Sequence, residues 1–144
     1  MLNQDSVNLL QECHSGILMG IDSYENVIPK IKSQKLLDIV NENKKSHIHI
    51  EKEIKDLLNE NHEQAKKPTA PASAMADMTL NIKLAIKGED AQIACILADG
   101  CNMGIKSLSK YKNKFSTAQD KALTMTDDII AMEETMHRAL REFL

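Results

Sequence analysis

The side chains best suited to chemistry in this sequence are histidines and acidic residues at helical spacing. Glu134 and His137 stand three positions apart, so on a helix both can reach one metal ion. Imidazole and carboxylate groups together suit iron, zinc or manganese. The candidate metal ligands are six residues of these two types: His14, His47, Asp99, Glu133, Glu134 and His137. No catalytic residues and no other cofactor are predicted.

Two of these histidines also have an interpretation without metal. Apolar residues recur every three to four positions in both segments, and His14 and His47 each occupy one position of such a series. Both are therefore predicted to face the interior of a helical protein. Buried polar groups are usually hydrogen-bonded to a neighbour, so the alternative to metal ligands is that both residues are hydrogen-bonded core histidines. His49 lies two positions from His47, about 200° around a helix. We therefore expect His49 at the surface near Glu53.

The cysteine content predicts free thiols. Cys13, Cys95 and Cys101 are an odd number at irregular spacing, which is typical of a reducing cytoplasm and not of a disulfide framework. The sequence has no Cys-x-x-Cys pair, and small cysteines on helices usually pack in cores. All three are therefore expected to fill the core.

Composition and charge restrict the class of protein. The chain has 144 residues, with 18 Lys and Arg against 21 Asp and Glu, and a net charge of −3. Aromatic residues make up 3%, with 5 Gly and 3 Pro, which favours helices packed on helices over a sandwich or barrel. The mild acidity gives no reason to expect nucleic-acid binding, since proteins that bind nucleic acid carry a basic face. No apolar run approaches the roughly 18 residues of a membrane span, so no membrane partner is expected. The lack of a secretory signal predicts a cytoplasmic protein.

Four long apolar stripes with a helical period predict an all-α fold in one domain, residues 1–144. The predicted helices cover about 5–30, 33–62, 75–87, 89–113 and 117–143, and the one at 75–87 is short. Ser33 is the expected N-cap of the second helix, and Ser116 or Thr117 is expected to start the last. The third long helix is expected to bury Gly100 and Gly104. The last helix is expected to bury Ala122, Met125, Ile129, Met132, Met136, Ala139, Leu140 and Phe143.

A connector separates the first two long helices from the last two. It begins with a stretch rich in Pro and Ala at residues 66–74 and includes the short helix. At roughly 25 residues it is long enough to cross a bundle, so a four-helix bundle of two antiparallel hairpins is the economical fold. An open helical array is the alternative. If the connector crosses the full length, a middle layer holds Ile17, His47, Cys101 and Ile130, with Asp99 and Glu133 close by.

A short internal repeat relates the first long helix to the third. Residues 16–23 (GILMGIDS) and 100–107 (GCNMGIKS) are identical at five of eight positions, including both glycines of each segment. Two glycines one turn apart leave a groove, so a neighbouring helix is expected to approach closely there. The repeat also predicts that the two helices are equivalent members of two related hairpins.

Several segments carry a resemblance to a known superfamily: the linker from Pro68 to Lys87, residues 81–90 (NIKLAIKGED), residues 98–100 (ADG) and residues 134–138 (ETMHR). On these segments the chain resembles the ferritin-like superfamily, and more narrowly a bacterial ferritin-like family of unknown function. The resemblance implies two helix hairpins joined by a long crossover. It also implies a di-metal site, built from a Glu on each of two helices and a Glu-x-x-His on each of the other two.

This ligand set is incomplete in the sequence. Glu134-x-x-His137 is the single match to the histidine motif, since Lys44 stands three positions before His47. Alignment of the two repeats also brings no pair of acids together. Two functions therefore stay open. One is a non-enzymatic structural or interaction bundle that acts as a homodimer or with a protein partner. The other is a metal-binding ferritin-like protein in iron storage or oxidative-stress defence.

Overall fold

The computed structural model describes residues 1–65 and 89–144, and within these ranges it consists of helices without strands. The long helices are α1 (Gln4–Val27), α2 (Gln34–Glu60), α3 (Asp90–Lys114) and α4 (Asp120–Leu140). The predicted all-α four-helix bundle is confirmed. The short helix expected at 75–87 and the linker at 66–74 lie outside the described residues. In the part of the chain that is described, no helix combines the length and the apolar character that crossing a bilayer requires.

The order of the helices in the bundle follows from contacts at its two ends. At one end, the Asp90 carboxylate at the start of α3 accepts hydrogen bonds from the backbone N–H groups of Lys32 and Ser33, between α1 and α2. At the other end, Thr117 between α3 and α4 donates to Asp5 at the start of α1. Therefore α3 begins where α1 ends and runs antiparallel to it. The hairpins α1–α2 and α3–α4 pack against each other, mainly through contacts of α1 with α3 and α4.

A side-chain cap marks the start of α2 but not that of α4. Ser33 accepts a hydrogen bond from the backbone N–H of Leu36 and starts α2, as predicted. The last helix begins at Asp120, later than the predicted start at Ser116 or Thr117, and no side-chain cap hydrogen bond is present there. The backbone N–H and the hydroxyl of Thr117 donate to the carboxylate of Asp5, so Thr117 connects the segment before α4 to the start of α1.

The core consists of two hydrophobic clusters, one in each half of the bundle. On α4 the buried face differs from the predicted one, since Thr126 and Glu133 are buried while Met125 and Met132 are only partly buried. Both polar residues have partners in the interior, which makes their burial tolerable. Thr126 donates to the backbone carbonyl of Ala122 at 2.8 Å, and Glu133 contacts α2.

On α3 the prediction that Gly100 and Gly104 are buried is wrong. Both glycines are partly exposed, and the inner face of α3 carries Ala94, Ala98 and Cys101 among its buried residues. The helix is rotated so that small side chains with a Cβ atom pack against the core. The glycines instead face the space between α3 and α1.

Candidate functional site

A histidine–glutamate pair in the middle of the bundle connects the two hairpins. His47 on α2 is 1% exposed and Glu133 on α4 is 9% exposed. The Nε2 atom of His47 lies 3.0 Å from Oε1 of Glu133, and its Nδ1 atom lies 2.8 Å from the carbonyl oxygen of Asn43. The prediction that His47 faces inward is confirmed, and its partner is another of the six candidate residues.

The two contacts of His47 determine how many protons the pair holds. A carbonyl oxygen only accepts, so Nδ1 carries a proton and donates it to Asn43. A second proton is required between Nε2 and the Glu133 carboxylate, because neither a bare ring nitrogen nor a carboxylate can donate. The pair is then either an imidazolium beside a carboxylate or an imidazole beside a carboxylic acid. In both arrangements it has no net charge.

Two further side chains with dissociable protons surround the pair. The ring of Tyr24 packs edge-on against the ring of His47 with 5.0 Å between the centroids. The buried thiol of Cys101 lies near enough to Glu133 to feel its charge. Burial, followed by the charge of Glu133, raises the pKa of both Tyr24 and Cys101 above its ordinary value. Near neutral pH these groups therefore remain a phenol and a thiol.

The second glycine of each repeat makes room for the pair. A Cβ atom added at Gly20 would lie 2.9 Å from both Cδ2 and Nε2 of His47, which is closer than real contacts allow. One added at Gly104 would lie 3.7 Å from Cγ and Cδ of Glu133, an ordinary contact. Within the described residues, the atoms nearest these two positions belong to side chains and not to the backbone of a neighbouring helix. What lies against Gly20 and Gly104 is a side chain of the buried pair.

The first glycine of each repeat leaves space within the described part of the chain. A Cβ atom added at Gly16 or Gly100 would meet no atom of the described chain within 4 Å. All four glycines line a cleft between α1 and α3, called the α1/α3 cleft below, with a volume of about 410 Å³. Its apolar lining comes from residues of three helices: Ile17, Met19, Leu97, Met103, Leu108 and Ile129. Glu133 and Cys101 also line it, so the buried pair contributes one carboxylate to the cleft.

Charged residues of both signs complete the lining of the cleft. They are Glu12 on α1 and Lys106 and Lys110 on α3. Glu12 also interacts with the hydroxyl of Tyr111, whose pKa is raised by partial burial and then by the charge of Glu12. The cleft therefore combines an apolar lining with the net-neutral pair in the core, and with hydroxyl groups and opposite charges elsewhere on its walls.

The remaining histidines among the six candidates have partners of their own. His14 is 5% exposed, and its Nε2 atom lies 3.0 Å from Oε1 of Glu51 on α2. The prediction that His14 faces inward is thus confirmed. His137 is partly buried, and its Nε2 atom lies 3.3 Å from the side-chain amide nitrogen of Asn102.

The two remaining acids of the six lie on outer faces. Asp99 stands two positions before the buried Cys101 and is exposed, since two positions are about 200° around a helix. Glu134 follows the buried Glu133 and is exposed as well. Within residues 1–65 and 89–144, no group of three or more His, Cys, Asp or Glu side chains is placed to hold a metal ion. Of the six candidates the structure brings together His47 and Glu133, and a metal site stays a prediction.

Sequence reasoning missed Glu51, Tyr24 and the exposure of Cys95. Glu51 stands four positions after His47, so both share a face of α2, and this spacing could have identified it. Tyr24 lies on the apolar stripe of α1, which gives no sign of the imidazole beside it. The expectation that all three cysteines fill the core holds for Cys13 and Cys101, whereas Cys95 is exposed. The prediction that His49 lies at the surface near Glu53 is confirmed, with the two side chains 3.2 Å apart.

The fold defines the class of this protein as an all-α four-helix bundle, and a solved structure shares it. The chain is similar to the crystal structure of a DUF305 fragment from Deinococcus radiodurans, with a TM-score of 0.74 and 10% sequence identity. The similarity covers 98% of this chain and 95% of that one, and at this identity it shows the fold alone. No protein-family model and no curated protein sequence matches the chain. The resemblance to the ferritin-like superfamily implied an all-helical four-helix bundle, and this part of the prediction is confirmed.

Proposed function

We propose that this chain is a non-enzymatic binding protein and that the α1/α3 cleft is its binding site. The observation that carries the proposal is a cleft of about 410 Å³ beside the buried pair of His47 and Glu133. Pockets for small molecules have volumes of about 300–1,000 Å³ and are mostly apolar with a few polar groups. The α1/α3 cleft has both properties.

The glycines support this proposal because they are costly in helices. Each glycine inside a helix destabilises it by about 1 kcal/mol relative to alanine. At Gly16 and Gly100 an alanine would fit without contact, so packing against the described chain does not require glycine there. A ligand that enters the cleft would explain why these two positions carry no side chain.

The groups that line the cleft suit binding better than nucleophilic chemistry. A cysteine is nucleophilic as a thiolate, and burial beside Glu133 raises the pKa of Cys101 and keeps it a thiol. The phenol of Tyr24 keeps its proton for the same reasons. Both can donate a hydrogen bond to a bound molecule or to the protein without reacting.

Glycine-selective isotope labelling tests the binding proposal directly. The chain has five glycines, of which Gly16, Gly20, Gly100 and Gly104 line the cleft. A ¹⁵N-glycine sample therefore gives four reporter signals on the cleft. We expect saturable shifts of the four reporter signals when 2-naphthaleneethanol or indole is titrated into the protein.

Substituted proteins separate binding in the cleft from binding elsewhere. Gly16→Leu and Gly100→Leu place a side chain at two cleft positions with open space, and both should abolish the shifts. Asn26→Leu adds the same side chain at an exposed position of α1 and should leave them unchanged. Shifts that persist in both glycine variants, or no shifts with any probe, would contradict the binding proposal.

Metal binding is the second candidate function, and the contact between His47 and Glu133 favours it. A metal ion that replaced the proton between them would gain an imidazole and a carboxylate ligand. The chain would then be a ferritin-like metal-binding protein. Calorimetric titration with zinc, manganese and ferrous ions tests this role. One or two ions per chain, lost in His47→Gln but retained in His49→Gln, would favour metal binding over the first proposal.

A further inference from the structure

We infer that the α1/α3 cleft selects uncharged, largely apolar molecules that carry one hydroxyl group, which donates a hydrogen bond to Glu133. This inference rests on the proposed binding function and adds the chemical class of the ligand. The argument uses three features of the cleft: the net charge of the buried pair, the orientation of the Glu133 carboxylate and the apolar lining.

The net charge of the buried pair disfavours charged ligands. Because His47 and Glu133 share two protons in a way that leaves them neutral, a ligand ammonium group would find no uncompensated negative charge at the pair, and the nearer wall charges are of both signs. Its loss of hydration would then be repaid poorly. A ligand carboxylate would face the carboxyl group of Glu133, which disfavours it further. Uncharged ligands avoid both penalties.

The Glu133 carboxyl group supplies a hydrogen-bond acceptor to the cleft. Its Oε1 atom contacts His47 at 3.0 Å. Its Oε2 atom lies 3.9 Å from the position of a Cβ atom at Gly104, so the missing side chain of Gly104 leaves this oxygen accessible from the α3 side. A carboxylate oxygen can accept more than one hydrogen bond, even beside the thiol of Cys101. A ligand hydroxyl can therefore donate to it.

A hydroxyl also suits the second polar group beside the pair. Tyr24 lines the cleft, and its phenol retains its proton because burial raises its pKa. A phenol can donate to a ligand oxygen, while Glu133 accepts from it. A hydroxyl group both donates and accepts, which an ether or a hydrocarbon cannot do. The aliphatic lining contributed by Ile17, Leu97 and Ile129 suits the rest of an apolar molecule.

Four compounds with one ring system test the ligand class. They are 2-naphthaleneethanol, 2-ethylnaphthalene, 2-naphthaleneethylamine and 2-naphthaleneacetate, which differ in the group at the end of the side chain. Their dissociation constants are measured from the glycine signals of the intact protein. We expect the alcohol to bind about two- to tenfold more tightly than the hydrocarbon, as one added hydrogen bond provides. The amine and the acid should bind more weakly than the alcohol.

The outcomes of this comparison distinguish a failure of the binding function from a failure of the ligand class. If none of the four compounds binds, the proposed function fails together with the ligand class. If all four bind with equal affinity, or the amine or the acid binds most tightly, the ligand class is wrong while the binding function stands. A preference for the alcohol alone supports both.

A double substitution then assigns the preference to the buried pair. His47→Leu with Glu133→Leu removes both groups together and leaves no unpaired charge in the core, so we expect a folded protein. Its affinity for 2-ethylnaphthalene should be retained, and the preference for the alcohol should disappear. A preference that survives in the folded double variant would contradict the role of Glu133. If the double variant does not fold, Tyr24→Phe provides the second test and should reduce the preference for the alcohol by about two- to tenfold.

Discussion

Two histidine–carboxylate pairs lie in the bundle with the same separation of 3.0 Å but in different surroundings. His47 and Glu133, the buried pair described above, join the two hairpins and are called the inter-hairpin pair below. His14 and Glu51 lie within the first hairpin, and the Glu51 side chain is 19% exposed and also lies 3.5 Å from the Lys55 ammonium group. Within the inter-hairpin pair, each residue balances the charge of the other in the interior. Glu51, by contrast, is stabilised by water and by a lysine as well as by His14. The comparison teaches that equal distances do not imply equal energies.

The largest expected effect is the loss of one member of the inter-hairpin pair. Glu133→Leu leaves His47 buried without its partner, and the free energy of unfolding should fall by about 3–5 kcal/mol. Glu51→Leu, the matched change in the other pair, should lower it by about 1 kcal/mol. Urea denaturation followed by circular dichroism measures both values. Equal losses in the two variants would contradict the distinction between the pairs.

The two glycines of α1 should respond to alanine with opposite signs, because only Gly20 lies against the inter-hairpin pair. In Gly20→Ala the new Cβ atom overlaps His47, which two hydrogen bonds hold in place, so we expect a loss of about 1–2 kcal/mol of stability. In Gly16→Ala the Cβ atom meets no atom of residues 1–65 or 89–144 within 4 Å, and the higher helix propensity of alanine should add up to about 1 kcal/mol. Thermal and urea denaturation of the two variants provide the measurement. Stabilisation by both substitutions would show that His47 is not confined by α1.

Alkaline pH acts on buried groups in both halves of the bundle, and Cys13 reports on the half that holds His14 and Glu51. Cys13 lies in that half, and burial raises the pKa of its thiol from 9.0 to about 11. The folded state therefore holds this proton more tightly than the unfolded chain. Its contribution to stability is complete below about pH 9 and is lost as the pH rises toward 11, by up to about 1.4 kcal/mol per pH unit.

Two alanine variants isolate the contribution of Cys13 to that decline. Between pH 9 and 11 the stability of Cys13→Ala should fall less steeply than that of the wild type, while Cys95→Ala, at an exposed position, should keep the wild-type slope. Urea midpoints measured at several pH values provide the test. Identical slopes in all three proteins would show that this half of the core admits water.

The smallest expected effect is kinetic and concerns thiol exposure beside the inter-hairpin pair. Cys95 should react rapidly with Ellman's reagent in the native protein, while Cys13 and Cys101 react when the protein unfolds. In Glu133→Leu at a temperature where it stays folded, Cys101 should become reactive sooner than Cys13, since burial and the negative charge of Glu133 raise the pKa of this thiol, and this charge is removed. Mass spectrometry of the labelled peptides identifies the cysteine. Simultaneous reaction of both buried thiols would indicate that the two halves open together.

The sequence predicts the elements and several inward-facing residues, because these depend on local periodicity. His14 and His47 lie on apolar stripes that the structure confirms, and the connector predicts two hairpins joined along the bundle. The pattern fails on α4, where it selects Met132 over the neighbouring Glu133. Glutamate is buried there because His47 lies opposite it, 86 positions away in the chain. Periodicity carries no information about such a distant partner.

The glycine repeat illustrates the same limit for the candidate site. The spacing of Gly16 and Gly20, and of their counterparts on α3, correctly predicts a groove. What occupies the groove depends on the relative rotation of the two helices, which is set by packing with α2 and α4. A side chain of the pair, His47 or Glu133, lies against one glycine of each repeat, and the cleft lies over the other. The charge and size of this site could therefore be obtained from the structure alone.

The hydrogen bonds of Asp90 have a consequence for the way the protein folds. They join positions 57 and 58 residues apart, and the bond from the Asn3 backbone to Gln119 at the opposite end joins positions 116 residues apart. Each hairpin, by contrast, brings together neighbouring segments, and such local contacts form at a lower cost in chain entropy. The hairpins should therefore form early and associate late. Since the α1/α3 cleft has one wall on each hairpin, a newly synthesised chain acquires it only in that final association.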